Sequence, residues 1–141
     1  MDEDPVLANL LKKRALSMKK NAETFANLDL NRVNDVTDAD IDEYLRTSPV
    51  PVLVDFSADA WCRPCQVMNP ILEELSHEFA NRVLFLKLNT DHNPVASSKY
   101  RIFSVPTFMV FNAGNRIAQR VGASPKSKFK AWIEEVVERL Q

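Results

Sequence analysis

Short apolar runs alternate with longer segments of helical periodicity along residues 33–140. The runs at Pro51–Ser57 and Val83–Leu88 are almost continuously apolar, as in strands buried on both faces. Elsewhere apolar residues recur every three or four positions, which predicts amphipathic helices. In chain order, the pattern predicts a strand at Val33–Val36, a helix at Asp38–Arg46, a strand at Pro51–Ser57, a helix at Pro64–Ala80, a strand at Val83–Leu88, a helix at Pro94–Tyr100, strands at Thr107–Asn112 and Arg116–Val121, and a helix at Pro125–Leu140.

This order of elements predicts an α/β fold with a mixed central sheet and helices on both faces. The last two strands form a hairpin around Asn112-Ala113-Gly114-Asn115. Each long helix is expected to turn one apolar stripe inward. For the first of them the stripe is Val67, Met68, Ile71, Leu72, Leu75 and Phe79, and for the last it is Phe129, Trp132, Ile133, Val136, Val137 and Leu140.

Residues 1–31 are predicted to be a helical extension to a domain at residues 32–141. A short apolar stripe runs from Val6 to Leu11, and a basic cluster follows from Lys12 to Lys20. Such a cluster could contact a membrane surface or an acidic partner. The composition favours a solvated helix that packs its few leucines on the domain.

Composition narrows the class of protein. The chain has 141 residues, 45% of them hydrophobic and 26% charged, which is typical of a single soluble domain. A net charge of −1 gives no reason to expect nucleic acid, and the apolar runs are too short for a membrane span. The acidic start at Asp2, Glu3 and Asp4 does not resemble a secretory signal or a transit peptide. We therefore expect a cytoplasmic protein, and a monomer.

The only two cysteines lie in the sequence Trp61-Cys62-Arg63-Pro64-Cys65. A disulfide across so small a loop would stabilise the fold little, so a bond there is better suited to breaking and re-forming. The pair also follows a strand and opens a helix, where backbone N–H groups favour a thiolate. The pattern therefore predicts a dithiol/disulfide redox site.

Two other interpretations of the cysteines remain open. A zinc site needs four ligands, and His77 and His92, the only further candidates, have a spacing that no common zinc finger uses. Two unrelated buried thiols are also possible, because free cysteine often simply packs in a core. Neither a metal nor a bound cofactor is expected.

In a redox site, the two cysteines and Pro64 would have different roles. Cys62, at the helix start beside the Arg63 guanidinium, is the expected nucleophile, and Cys65, one turn in and shielded, would resolve the mixed disulfide. Pro64 would fix the first turn, where no N–H is needed.

Asp55 is a carboxylate inside an apolar strand, so burial should raise its pKa and suit it to accept the Cys65 proton. An aspartate at a strand end that caps a loop is the alternative. Lys87, on the next strand, could pair with Asp55 or simply extend to the surface.

Several segments resemble the thioredoxin family in the right order. They are the strand Val52–Phe56 with Asp55, the motif Trp61–Cys65, Lys87–Asp91 with Asn93-Pro94, Val105-Pro106-Thr107, Phe111–Gly114 and Val121-Gly122-Ala123. Three features depart from the family pattern: Arg63 stands where glycine is usual, Ser57 replaces an aromatic residue, and one extra residue lies between Asp55 and Cys62.

The resemblance implies a thioredoxin fold and a protein-disulfide reductase that acts on disulfide-containing client proteins and is reduced by a thioredoxin reductase. It also implies a cis bond before Pro106, with Val105 offering its backbone to an extended substrate. Trp61, Gly122 and Ala123 would complete an apolar rim. Two alternatives remain: an interaction module docked through the N-terminal helix, and an oxidase or isomerase in which Arg63 raises the reduction potential.

Overall fold

The computed structural model describes residues 28–140, so most of the predicted N-terminal extension, including its helix, lies outside the described residues. Within them the elements follow the predicted order, with bounds that differ from the predicted ones by at most three residues. They are β1 (Val33–Val36), α1 (Ile41–Thr47), β2 (Val52–Ser57), α2 (Arg63–Glu78), β3 (Leu84–Asn89), α3 (Pro94–Lys99), β4 (Thr107–Asn112), β5 (Asn115–Val121) and α4 (Lys126–Glu138).

The five strands form one mixed sheet in the order β1-β3-β2-β4-β5. β3 runs parallel to both β1 and β2, whereas β4 runs antiparallel to β2 and to β5. The mixed sheet predicted from the sequence is therefore confirmed. β2 occupies the centre, and all six of its residues are buried, as its continuous apolar run predicts.

Helices cover both faces of this sheet, again as predicted. On one face, α2 and α4 pack against Leu53, Phe85 and Phe108. On the other, α1 and α3 pack against Val54, Leu86 and Met109 of the same strands. β2 is buried between these layers, and a short turn at its end leads to the start of α2 at the edge of the sheet.

Three local predictions are corrected. α1 begins at Ile41 rather than at residue 38, because Thr37 and Asp40 close a separate turn in which the Thr37 N–H donates to Asp40 Oδ1. Val67 is 51% exposed, since the buried stripe of α2 is centred on Met68, Leu72 and Leu75 and Val67 lies beside it. Leu140 follows the end of α4 and is also exposed.

Candidate active site

A tight turn connects β2 to α2 and accommodates the extra residue found there in the sequence. The Ala58 carbonyl oxygen accepts hydrogen bonds from the backbone N–H groups of Trp61, at 3.2 Å, and Cys62, at 2.9 Å. Asp59 and Ala60 lie inside this turn. The insertion therefore ends before the helix, and Cys62 takes the N-cap position of α2.

The two cysteines form a disulfide, with their Cα atoms 5.3 Å apart. The Cys62 Sγ also accepts the backbone N–H of Cys65 at 3.2 Å, a contact typical of an N-cap side chain. This amide is one that would favour a thiolate once the disulfide is reduced. Pro64 lies in the first turn of α2, where its missing N–H leaves no bond unmade.

The two sulfurs differ in accessibility less than the sequence predicts. Cys65 is fully buried as expected, but Cys62 is only 4% exposed. Both cysteines belong to a small buried cluster with Ala58, and Val105 packs against this cluster. Cys62 remains the more accessible of the pair.

The Val105–Pro106 loop lies directly against the disulfide, as the family resemblance implies. The peptide bond between these residues is cis, and the Val105 carbonyl oxygen is 3.7 Å from Cys62 Sγ. Gly122 donates its N–H to the Pro106 carbonyl oxygen at 2.9 Å and has a φ of 90°, a value that glycine adopts easily. Ala123 follows it and is exposed.

Exposed side chains flank the motif. Trp61 is 66% exposed, and its ring N–H donates to the Asp91 carboxylate at 3.1 Å. Arg63 is exposed and makes no ion pair with any residue in the described range 28–140. Phe103, which the sequence analysis missed, is 90% exposed only two residues before Val105. Its position in a loop between α3 and β4 was the available signal.

Asp55 lies on the face of β2 that packs beneath α2, since it alternates with Leu53 of that core. It is completely buried, and neither carboxylate oxygen has a hydrogen-bond partner among residues 28–140. Burial raises the pKa of Asp55 from 3.8 to about 7, with a smaller lowering by the Lys87 charge and a raising by Asp59. The burial of this carboxylate, and the raised pKa that follows from it, agree with the sequence prediction.

Lys87 does not bond to Asp55, which corrects one of the two interpretations of this lysine. Its Nζ instead donates to Asp59 Oδ2 and, at 2.7 Å, to Asn69 Oδ1. These oxygens lie in the β2–α2 turn and on α2, within reach of the long lysine side chain. Neither Asp59 nor Asn69 was identified from the sequence, although Asp59 stands in the segment with the extra residue.

Within residues 28–140, no group of three or more His, Cys, Asp or Glu side chains is arranged to hold a metal ion. In the same part of the chain, none of the helices combines the length and apolar character needed to cross a bilayer.

Comparisons with known proteins agree with this geometry. The thioredoxin family model matches residues 32–135. A thioredoxin from Synechocystis sp. is 43% identical over 100 residues, covering 71% of this chain and 92% of the relative. A thioredoxin from Rickettsia bellii is 43% identical over 71% of this chain and 94% of its own length, and one from Pyropia yezoensis is 38% identical over 74% and 97%. With a disulfide at the start of α2, this chain belongs to the thioredoxin family of thiol–disulfide oxidoreductases.

Proposed function

We propose that the protein reduces disulfides in client proteins by cycling Cys62 and Cys65 between dithiol and disulfide. The observation that carries this proposal is the disulfide at the N-cap of α2, where Cys62 Sγ lies beside a helix amide and the Val105 carbonyl oxygen. A sulfur at a helix N-terminus is favoured as a thiolate, the form that attacks a disulfide.

The reaction proceeds by two thiol–disulfide exchanges. The Cys62 thiolate attacks one sulfur of the client disulfide, forms a mixed disulfide and releases the other client sulfur as a thiolate. Cys65 then loses its proton to the Asp55 carboxylate and attacks Cys62 Sγ. This step forms the Cys62–Cys65 bond and releases the second client thiol, so two electrons pass to the client.

The client chain would bind along the surface next to Cys62. Val105 would offer its backbone groups to an extended segment next to Pro106, and Trp61, Arg63, Pro64, Gly122 and Ala123 would complete the binding surface. Support comes from the exposure of Trp61 and from the Gly122–Pro106 hydrogen bond, which holds these two loops together.

The cell must return electrons to the pair after each cycle. We assign this step to a thioredoxin reductase or an equivalent donor, so that the protein acts as an electron carrier in cell redox homeostasis. We place it in the cytoplasm, where thiols are kept reduced, and expect it to act as a monomer.

The assignment of Asp55 is tested by Asp55→Ala. This variant should slow resolution of the mixed disulfide by at least about tenfold near neutral pH and change the first attack by less than about twofold, because the carboxylate acts on Cys65 alone. Rapid-quench kinetics with a chromogenic disulfide separate the two steps. An unchanged resolution rate would remove Asp55 from the mechanism while leaving both cysteine roles intact.

A second candidate function is that of an oxidant or isomerase. Arg63 favours it, because a cation beside Cys62 stabilises the reduced thiolate form and so raises the reduction potential. Arg63 is exposed, however, so solvent and salt screen its charge. The reduction potential of the pair decides between the two functions.

A further inference from the structure

The backbone of Lys87 lies directly beside that of Asp55. The two residues are register partners on the parallel strands β2 and β3, which lie about 4.8 Å apart, and their side chains leave the same face of the sheet. An ammonium group in that position would ordinarily pair with the neighbouring carboxylate. In this protein Asp55 has no hydrogen-bond partner among the described residues, and the Lys87 ammonium bonds to Asp59 instead.

A closed ring of three side chains holds the ammonium in its actual position. Lys87 Nζ donates to Asp59 Oδ2 and to Asn69 Oδ1, and Asn69 Nδ2 donates back to Asp59 Oδ2 at 3.0 Å. Asn69 is the only neutral residue in the ring, and both the oxygen and the nitrogen of its side-chain amide make a hydrogen bond. The ring is part-buried, with the Lys87 side chain 18% exposed.

We propose that Asn69 is a positioning residue that, with Asp59, holds the Lys87 ammonium away from Asp55 and thereby keeps that carboxylate unpaired for proton transfer. This inference rests on the proposed role of Asp55 as the base for Cys65. A direct ion pair would stabilise the carboxylate and make it a weaker base, whereas an ammonium held at a distance acts only through space.

Few charged groups act on Asp55. Lys87 on β3 and Asp59 in the turn act on it through space, while its partner on β4, Phe108, carries no charge. α2, which covers this face of the sheet, carries the disulfide-bonded Cys65 and the neutral Asn69. Beyond the ring, a cavity of about 280 Å³ between β1 and α2 is lined by Lys87, Asn69, Arg32, Asp35 and Glu73. Three further charged residues therefore share this cavity with Lys87.

The test is a double-mutant cycle in the oxidised protein, with the Asp55 carboxyl titrated by NMR on isotope-labelled aspartate. Asn69→Ala changes no formal charge, and the Lys87→Met background shows how much of its effect on Asp55 passes through the ammonium. We expect it to lower the pKa of Asp55 by roughly half a pH unit, because the ammonium, then held by Asp59 alone, can move closer to the carboxylate. Lys87→Met should raise that pKa, and adding Asn69→Ala to Lys87→Met should change it no further.

Gln66→Ala is the matched control, since this neighbouring helix amide bonds to the Asp59 carbonyl oxygen and not to Lys87. It should leave the titration of Asp55 unchanged. Asp59→Asn provides a second arm of the cycle if Asn69→Ala does not fold. In the Lys87→Met background, the effect of Asp59→Asn on the pKa of Asp55 should shrink to the part that comes from the loss of the Asp59 charge itself.

Two results would overturn the proposal: an unchanged Asp55 titration in Asn69→Ala, or an equal shift in the presence and absence of Lys87. The pH profile of mixed-disulfide resolution is measured on the same variants and should move with the titration. If the titration shifts as expected and the resolution profile does not, then the positioning by Asn69 stands and the assignment of Asp55 as the base fails.

Discussion

Cys62→Ser is expected to lower the rate of insulin disulfide reduction to that of the small dithiol alone. The substitution removes the only nucleophile that can form the mixed disulfide, and a serine hydroxyl does not replace a thiolate in that reaction. The fold should survive, because serine is a favoured N-cap residue and can accept the Cys65 amide hydrogen bond that Cys62 accepts. The measurement is insulin precipitation with dithiothreitol as the electron source.

Cys65→Ser is the matched comparison for this experiment. It should also lose turnover, but it should accumulate mixed disulfides with insulin, because Cys62 still attacks and nothing resolves the product. Equal rates for wild type and Cys62→Ser would contradict the redox function and favour the interaction module.

Asp55 is expected to make the oxidised protein less stable as the pH rises. Its pKa is raised to about 7 in the folded state from 3.8, so between these values the folded state holds a proton that the unfolded state has lost. The free energy of unfolding should therefore fall from near pH 4 to near pH 7 and then level off. At about 1.4 kcal/mol for each pH unit, the loss is about 4 kcal/mol.

Asp55→Asn isolates this effect, since the amide has similar size and does not titrate. Chemical denaturation of both proteins across the pH range should show stability curves that converge near pH 4 and diverge in favour of Asp55→Asn above it. Parallel curves would mean that Asp55 titrates normally and is solvated. The other titratable groups contribute equally to both proteins and cancel in the comparison.

Short sequence patterns predicted the strands, turns and helix starts that depend on residues close together in the chain. The continuous apolar run of β2 identified a central strand, and the two-cysteine motif identified the start of α2. The turn at Ala113-Gly114 was predicted from its glycine, and both residues have positive φ, of 51° and 84°. Asp55 was identified because a carboxylate stands out within an apolar strand, although a loop-capping aspartate at the strand end was the alternative.

The contacts of Lys87 could not be predicted in the same way. They depend on the register that places Lys87 beside Asp55 and on the turn that brings Asp59 to α2. Asn69 gave no signal, because a polar residue on an amphipathic helix normally faces solvent. The near-complete burial of Cys62 depends on Val105, which is 43 residues away in the chain.

The reduction potential of the Cys62–Cys65 pair tests the proposed function most directly. The protein is equilibrated with glutathione or dithiothreitol buffers of known poise, and the fraction of the disulfide is read by thiol labelling and mass spectrometry. A reductase that serves client proteins should have a potential of about −230 mV or lower, with both cysteines oxidised together in a single two-electron step. A potential of about −180 mV or higher would contradict the account and would make the protein an isomerase or an oxidant.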